Sequence, residues 1–169
     1  MSCNHTTPSG RSFSSRKRAS CLRGWLCGSV EHVGSTAVRG MIAKPIIDIM
    51  FGVEHLKASS GAIDVLQRSG YCYYPYKPDQ MHWFCKPSPD FRTHHLHLIP
   101  YGSPLWKERI RFLDILRSNP QVVEDYELLK RTLAAEMASD REAYTRNKWS
   151  FIKKVLDDSA LRQQTPLTK

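Results

Sequence analysis

Nowhere in the 169 residues does an apolar run approach the ~20 residues of a membrane-spanning helix. The basic start is not followed by the apolar core of a secretory signal, which argues against export. Its Ser/Arg-rich character matches an organellar transit peptide only loosely. No Cys-x-x-Cys pair occurs, and the five cysteines (Cys3, Cys21, Cys27, Cys72, Cys85) are odd in number. They read as free thiols in a reducing cytoplasm, not as a disulfide frame or a zinc knuckle. No internal repeat is present. Acid is missing from residues 1–30, which hold Arg11, Arg16, Lys17, Arg18 and Arg23. Much of the formal charge of +9 therefore sits there, and the rest of the chain carries 20 basic against 16 acidic groups. Such a segment attracts nucleic-acid or membrane phosphates, though more often it is a solvated tail. The expectation is weak, nonspecific nucleic-acid binding through the N-terminus and no membrane partner.

What is present suits one globular domain over residues 1–169, with 1–12 and 158–169 as disordered tails. Phe13–Cys27 reads as an irregular helix. Glu54–Ser69 reads as a helix closed by Gly70, weakened at Ser59-Ser60-Gly61. Tyr71–Tyr76 and Met81–Lys86 are aromatic runs joined by turn chemistry, a hairpin whose tyrosines cover a core or stack a base. Thr93–Pro100 alternates as a strand. Three helices follow: Pro104–Arg117 with a Ser N-cap, Gln121–Ala138, and Asp140–Leu156. The order predicts an α+β fold, a mixed sheet with a C-terminal helical pack.

The chain is organised around Val30–Val53, VEHVGSTAVRGMIAKPIIDIMFGV. It reads as a strand, a Gly-Ser turn, a short helical or looped segment and a second strand. Pro45–Val53 is apolar except for Asp48. A carboxylate there is costly to bury unless it is paired, hydrogen-bonded or at a metal. Asp48 therefore faces an open site or is tied to a cation such as Lys44. Were it buried without a partner, Asp48→Asn would leave stability unchanged or raise it. Gly34-Ser35-Thr36 offers consecutive backbone amides to a phosphate, or forms a plain turn.

Along Thr93–Pro100, His95, His97 and Ile99 share one face. Two imidazoles at i, i+2 share a metal or pair as acid and base. With Asp48 on a neighbouring strand they form a two-His, one-carboxylate set, which favours Mn²⁺ or Zn²⁺ over Mg²⁺. The plainer alternative is one histidine orienting Asp48. Arg92 is placed to clamp a phosphate or carboxylate bidentately, and Lys44 to meet a phosphate or to pair with Asp48.

These residues carry a resemblance. HVGSTAV…AKPIIDI resembles the first motif of the polymerase-β type nucleotidyltransferases, a Gly-Ser turn followed by an acid on a strand. It is more closely similar to the GrpB family, and the similarity continues through RTHHLHLIPYGSPLW (Arg92–Trp106) and the C-terminal helices, over most of residues 31–155. That family adopts the nucleotidyltransferase fold and also occurs fused to dephospho-CoA kinase. Its members usually begin with a longer amphipathic helix opened by an aromatic-proline pair, which this chain lacks.

The resemblance implies a nucleotidyltransferase-like sheet with a Gly-Ser turn that holds a nucleotide's phosphates. It implies a cleft between Gly34-Ser35 and Asp48, His95 and His97 for a nucleotide or another phosphorylated small molecule. Nucleotidyl transfer places two metals on an Asp-x-Asp pair. Here the second position is Met50. That departure points to one-metal nucleotidyl or phosphoryl transfer, or to a non-catalytic ligand- or partner-binding domain on the same fold. An RNA-associated module is a third reading, resting on the N-terminal charge without any RNA motif.

Overall fold

The computed structural model describes residues 29–137 and 140–164. The expected tail over 1–12, the helix over 13–27 and residues 165–169 lie outside them.

Five strands form one mixed sheet: β1 (Val30–Val33), β2 (Ile47–Val53), β3 (Cys72–Tyr74), β4 (His82–Pro87) and β5 (Arg92–Pro100). Their spatial order is β1-β2-β5-β4-β3, and only the β2–β5 pair is parallel. The parallel pair lies in the middle, where both faces of the sheet are covered. Helix α1 (Gly61–Arg68) lies over one face. There Ile49, Phe51 and Val53 of β2 join Leu96 and Leu98 of β5, Phe84 of β4 and Ala62, Ile63 and Leu66 of α1. Helices α2 (Pro104–Ser118), α3 (Pro120–Glu136) and α4 (Arg141–Gln164) cover the other face. Met50, Ile99, Trp106, Phe112, Leu116 and Tyr126 form the core there. A strand's alternation thus splits β2 and β5 between two cores, and Asp48, His95 and His97 fall on the side of α2–α4. Gly52 belongs to this face too: a Cβ there would stand 3.0 Å from Tyr101 and 3.2 Å from Trp106, so glycine lets those rings cross the strand.

The helical ends follow local chemistry. Ser103 caps α2, its Oγ accepting from Trp106 N at 3.3 Å, with Pro104 in the first turn. Asn119 ends α2 and begins α3, its Oδ1 accepting from Val122 N at 3.4 Å. Gly70, at φ 83, follows α1. Its N–H bonds to Gln67 O and that of Tyr71 to Leu66 O, both at 3.0 Å, a Schellman closure.

Two spans differ from expectation. Helix α1 starts only at Gly61, because Ser59 and Ser60 turn their hydroxyls back onto Leu56 O (2.9 Å) and Lys57 O (3.0 Å). Side chains that bond the backbone this way compete with a helix. At the other end α4 runs through Gln164, so 158–164, expected as part of a tail, are helical. Buried Leu156 and the Ser159 Oγ that accepts from Arg111 at 3.0 Å bind that last stretch to α2. No helix among the described residues is long and apolar enough to cross a membrane.

Candidate functional site

The parallel register of β2 and β5 places Asp48 beside His95 and Met50 beside His97. Because i and i+2 share a face, both imidazoles lean toward one carboxylate. His95 Nδ1 donates to Asp48 Oδ1 at 2.9 Å, and His97 Nε2 lies 3.7 Å from the same oxygen. Gly34, at the end of β1, has φ 74, and a Cβ there would collide with Asp48 Oδ2. The glycine makes room for the carboxylate as well as for the turn.

A cavity of about 790 Å³ opens above this cluster, between the sheet and α2–α4. Asp48, His95 and His97 form part of its wall, Trp83 flanks both imidazoles, and Arg109 of α2 and Lys148 of α4 reach in from the helical side. Its electrostatics are set by burial. Burial pushes the Asp48 carboxyl up, but the hydrogen bond from His95 and the nearby imidazole of His97 outweigh it and hold the group well below the usual carboxylate range. Burial, and after it the Arg109 guanidinium, pushes His97 down to about 4. Burial also lowers Arg109, with the Asp48 charge opposing, and lowers Lys148, again against Asp48.

Arg109 is the odd member. Its Nη1 donates to His97 Nδ1 at 3.2 Å and its Nη2 faces the Met81 thioether at 3.8 Å. Its Nε is buried without a partner. Among the described residues no carboxylate lies within ion-pairing distance of it. A shielded guanidinium with that company is costly unless an anion completes it.

The family of this chain follows from comparison. The family model described as GrpB protein matches residues 12–158. The chain belongs to the GrpB family. It is 37% identical over 135 residues to the Glutamate-rich protein GrpB of Alkalihalophilus pseudofirmus, covering 76% of this chain and 77% of that one. It is 34% identical over 130 residues to a UPF0157 protein of Deinococcus radiodurans, covering 77% of this chain and 66% of the relative. The crystal structure of conserved protein GrpB from Enterococcus faecalis superposes with a TM-score of 0.63 at 28% identity, covering 80% of this chain and 85% of that one.

Of the residues singled out in this GrpB-family sequence, Asp48, His95 and His97 converge. Gly34, Ser35 and Arg92 line the same cavity. Arg92 stacks its guanidinium over Trp83 at 5.2 Å while Nε donates to Pro89 O at 2.8 Å. Thr36 and Lys44 do not line it. Thr36 Oγ1 donates to Ile46 O at 3.2 Å, tying the turn to the start of β2. Lys44 lies over the Tyr144 ring at 6.0 Å and is not the partner of Asp48. The expectation that Asp48→Asn leaves stability unchanged or raised is therefore not what this geometry predicts. The carboxylate accepts from His95, so its loss should destabilise the fold.

Arg109, Lys148 and Lys130 escaped the sequence reading. Lys130 donates from α3 to Ser35 Oγ at 3.2 Å and to Ile42 O at 2.7 Å. For two of them a signal existed. Arg109 interrupts the apolar stripe Leu105, Trp106, Phe112, Leu113, Leu116 of α2, and Lys148 stands one turn from Tyr144 and Ile152. A cation on a buried stripe is a question that helix pattern alone leaves unanswered.

The donor set fits a metal ion. One ligand atom from each of Asp48, His95 and His97 lies within 4.8 Å of the others, so the three gather as a metal site requires. One carboxylate and two imidazoles suit Mn²⁺ or Zn²⁺ better than Mg²⁺. The second acid of a two-metal site is absent: Met50 is fully buried in the core.

Proposed function

We propose that this GrpB-family chain binds a nucleotide or another phosphorylated small molecule in the cavity above Asp48, His95 and His97, on a nucleotidyltransferase-like scaffold. The observation that carries the reading is Arg109, a shielded guanidinium facing the cavity without a carboxylate partner. Lys148 adds a second cation on the same wall, and Ser35, held by Lys130, offers a polar rim. Trp83 and Tyr76 give an apolar wall on which a flat ring can lie. The free thiols Cys72 and Cys85 accord with a cytoplasmic setting.

Binding is the reading favoured over two-metal nucleotidyl transfer, because Met50 stands where the second acid would be. One observation favours a one-metal transfer as the second reading: the gathering of Asp48, His95 and His97. A Lewis acid held there would polarise a phosphoryl oxygen. The residues themselves would hold the ion and, through Arg109 and Lys148, orient the phosphate.

Calorimetry with a nucleoside triphosphate, the matching nucleoside and inorganic phosphate tests the first reading. The triphosphate should bind and the nucleoside should bind far more weakly. Equal affinity for the two, or no heat with either phosphate compound, sinks the reading. Tight nucleic-acid binding that survives both deletion of residues 1–23 and high salt would turn attention to an RNA role instead.

For the second reading, Mn²⁺ and Zn²⁺ should bind better than Mg²⁺, and Asp48→Asn should abolish that binding while lowering stability. His97→Ala should weaken it by roughly 10–100-fold or more, the scale seen even for residues that only support a ligand. Should no divalent ion bind the native protein, alone or with a saturating oxyanion, the cluster is a hydrogen-bonded structural unit, and the non-catalytic reading stands alone.

A further inference from the structure

A neutral imidazole has one N–H and one lone pair, and a guanidinium only donates. With Arg109 Nη1 3.2 Å from His97 Nδ1, that nitrogen must accept. The proton of His97 is then on Nε2, which lies 3.7 Å from Asp48 Oδ1 and is buried without a hydrogen-bond partner. A protonated ring nitrogen has no lone pair to give a metal. Metal-ligating histidines normally donate their other N–H to an acceptor, whereas here the other nitrogen faces a donor. While Arg109 stays where it is, His97 is held in the tautomer that cannot ligate through Nε2.

The hold on Arg109 is weak. Besides His97, its nearest partner is the Met81 thioether, a poor acceptor, and its Nε is buried with none. An oxyanion entering the cavity offers the guanidinium far better acceptors.

We propose that Arg109 couples two ligands of this cavity: an oxyanion that draws its guanidinium off His97 frees that histidine to ligate a divalent transition metal. The proposal rests on both the anion-binding and the metal-binding readings above, and a protein that binds no Zn²⁺ with or without sulfate overturns it. The ring gains and loses no proton overall. It exchanges Nε2–H for Nδ1–H, and the anion supplies an acceptor for the new N–H. Anion and metal then bind with positive cooperativity, and each tightens the other by the same factor.

The test uses the full chain stripped of metal with a chelator, sulfate as the oxyanion and Zn²⁺ as the metal. Calorimetry measures each alone and then each in the presence of the other. Saturating sulfate should lower the Zn²⁺ Kd about tenfold, within the roughly 5–150-fold range of coupled sites. Zinc should tighten sulfate equally. Long-range ¹H–¹⁵N NMR should find His97 protonated on Nε2 in the free protein and on Nδ1 with both ligands bound. Arg109→Met should bind Zn²⁺ without sulfate more tightly than the native protein does without it, and added sulfate should tighten Zn²⁺ binding less than in the native protein. Sulfate that binds while leaving Zn²⁺ affinity unchanged or weaker overturns the coupling but spares the anion site. Failure of sulfate to bind at all overturns both. A free protein with His97 protonated on Nδ1 also overturns the coupling. If Arg109→Met does not fold, the native double titration and the NMR assignment still decide.

Discussion

Between pH 7 and pH 4 the metal-free protein should lose about 3 kcal/mol of stability through His97 alone. The histidine falls from 6.5 in the unfolded chain to about 4 in the fold, through burial first and the Arg109 charge second, with Asp48 opposing both. Its folded pKa is depressed, so above pH 6.5 both states hold it neutral and its contribution is intact. Below that, the unfolded chain takes up a proton that the folded chain refuses, and stability drains away until about pH 4. Asp48 adds little slope until pH nears 4. Its carboxyl is held low, so its contribution starts to be lost as the unfolded carboxyl protonates near pH 4 and goes on falling below that. Urea denaturation at pH 7.5, 5.5 and 4 should reveal the fall, and His97→Gln should flatten most of it. An equal slope in that variant would mean that other groups carry the acid sensitivity and that His97 titrates normally.

Arg109→Met should separate binding from stability in opposite directions. Against a nucleoside triphosphate or inorganic phosphate, affinity should fall by roughly 100-fold or more. Truncating one side of a shielded, hydrogen-bonded charge pair commonly costs about 2–5 kcal/mol. Without ligand, the same change should leave stability unchanged or raise it. It removes a guanidinium whose Nε has no partner and places an unbranched apolar side chain beside Met81, Leu105 and Phe112. Calorimetry and urea titration on one preparation give both numbers. Lost stability with unchanged phosphate affinity would make Arg109 a structural support for His97 and would remove the main argument for an anion in the cavity.

Much of this fold was legible because local chemistry decided it. Ser103 starts a helix wherever its side chain finds the free amides of a first turn, and that needs no partner from elsewhere. Thr93–Pro100 alternates, so His95 and His97 had to share a face whatever sheet they joined. The helix expected from Glu54 failed at Ser59 and Ser60 for an equally local reason, although the weakness of that stretch was already visible in its composition.

The sequence by itself determined the α+β order, the strand carrying Asp48, the strand carrying both histidines and the similarity that places the chain in the GrpB family. Periodicity and short-range capping act within a few residues, so they can be read from a string. Only the tertiary structure decided that β2 and β5 are parallel neighbours in the register that sets Asp48 against His95. It also decided that Lys44 points to Tyr144 while Arg109, 61 positions after Asp48 in the sequence, reaches His97. Side chains so far apart along the chain meet only when a sheet face and a helix stripe close on each other. A cation on that stripe acquires its meaning from the burial and the missing counter-charge that the closure creates.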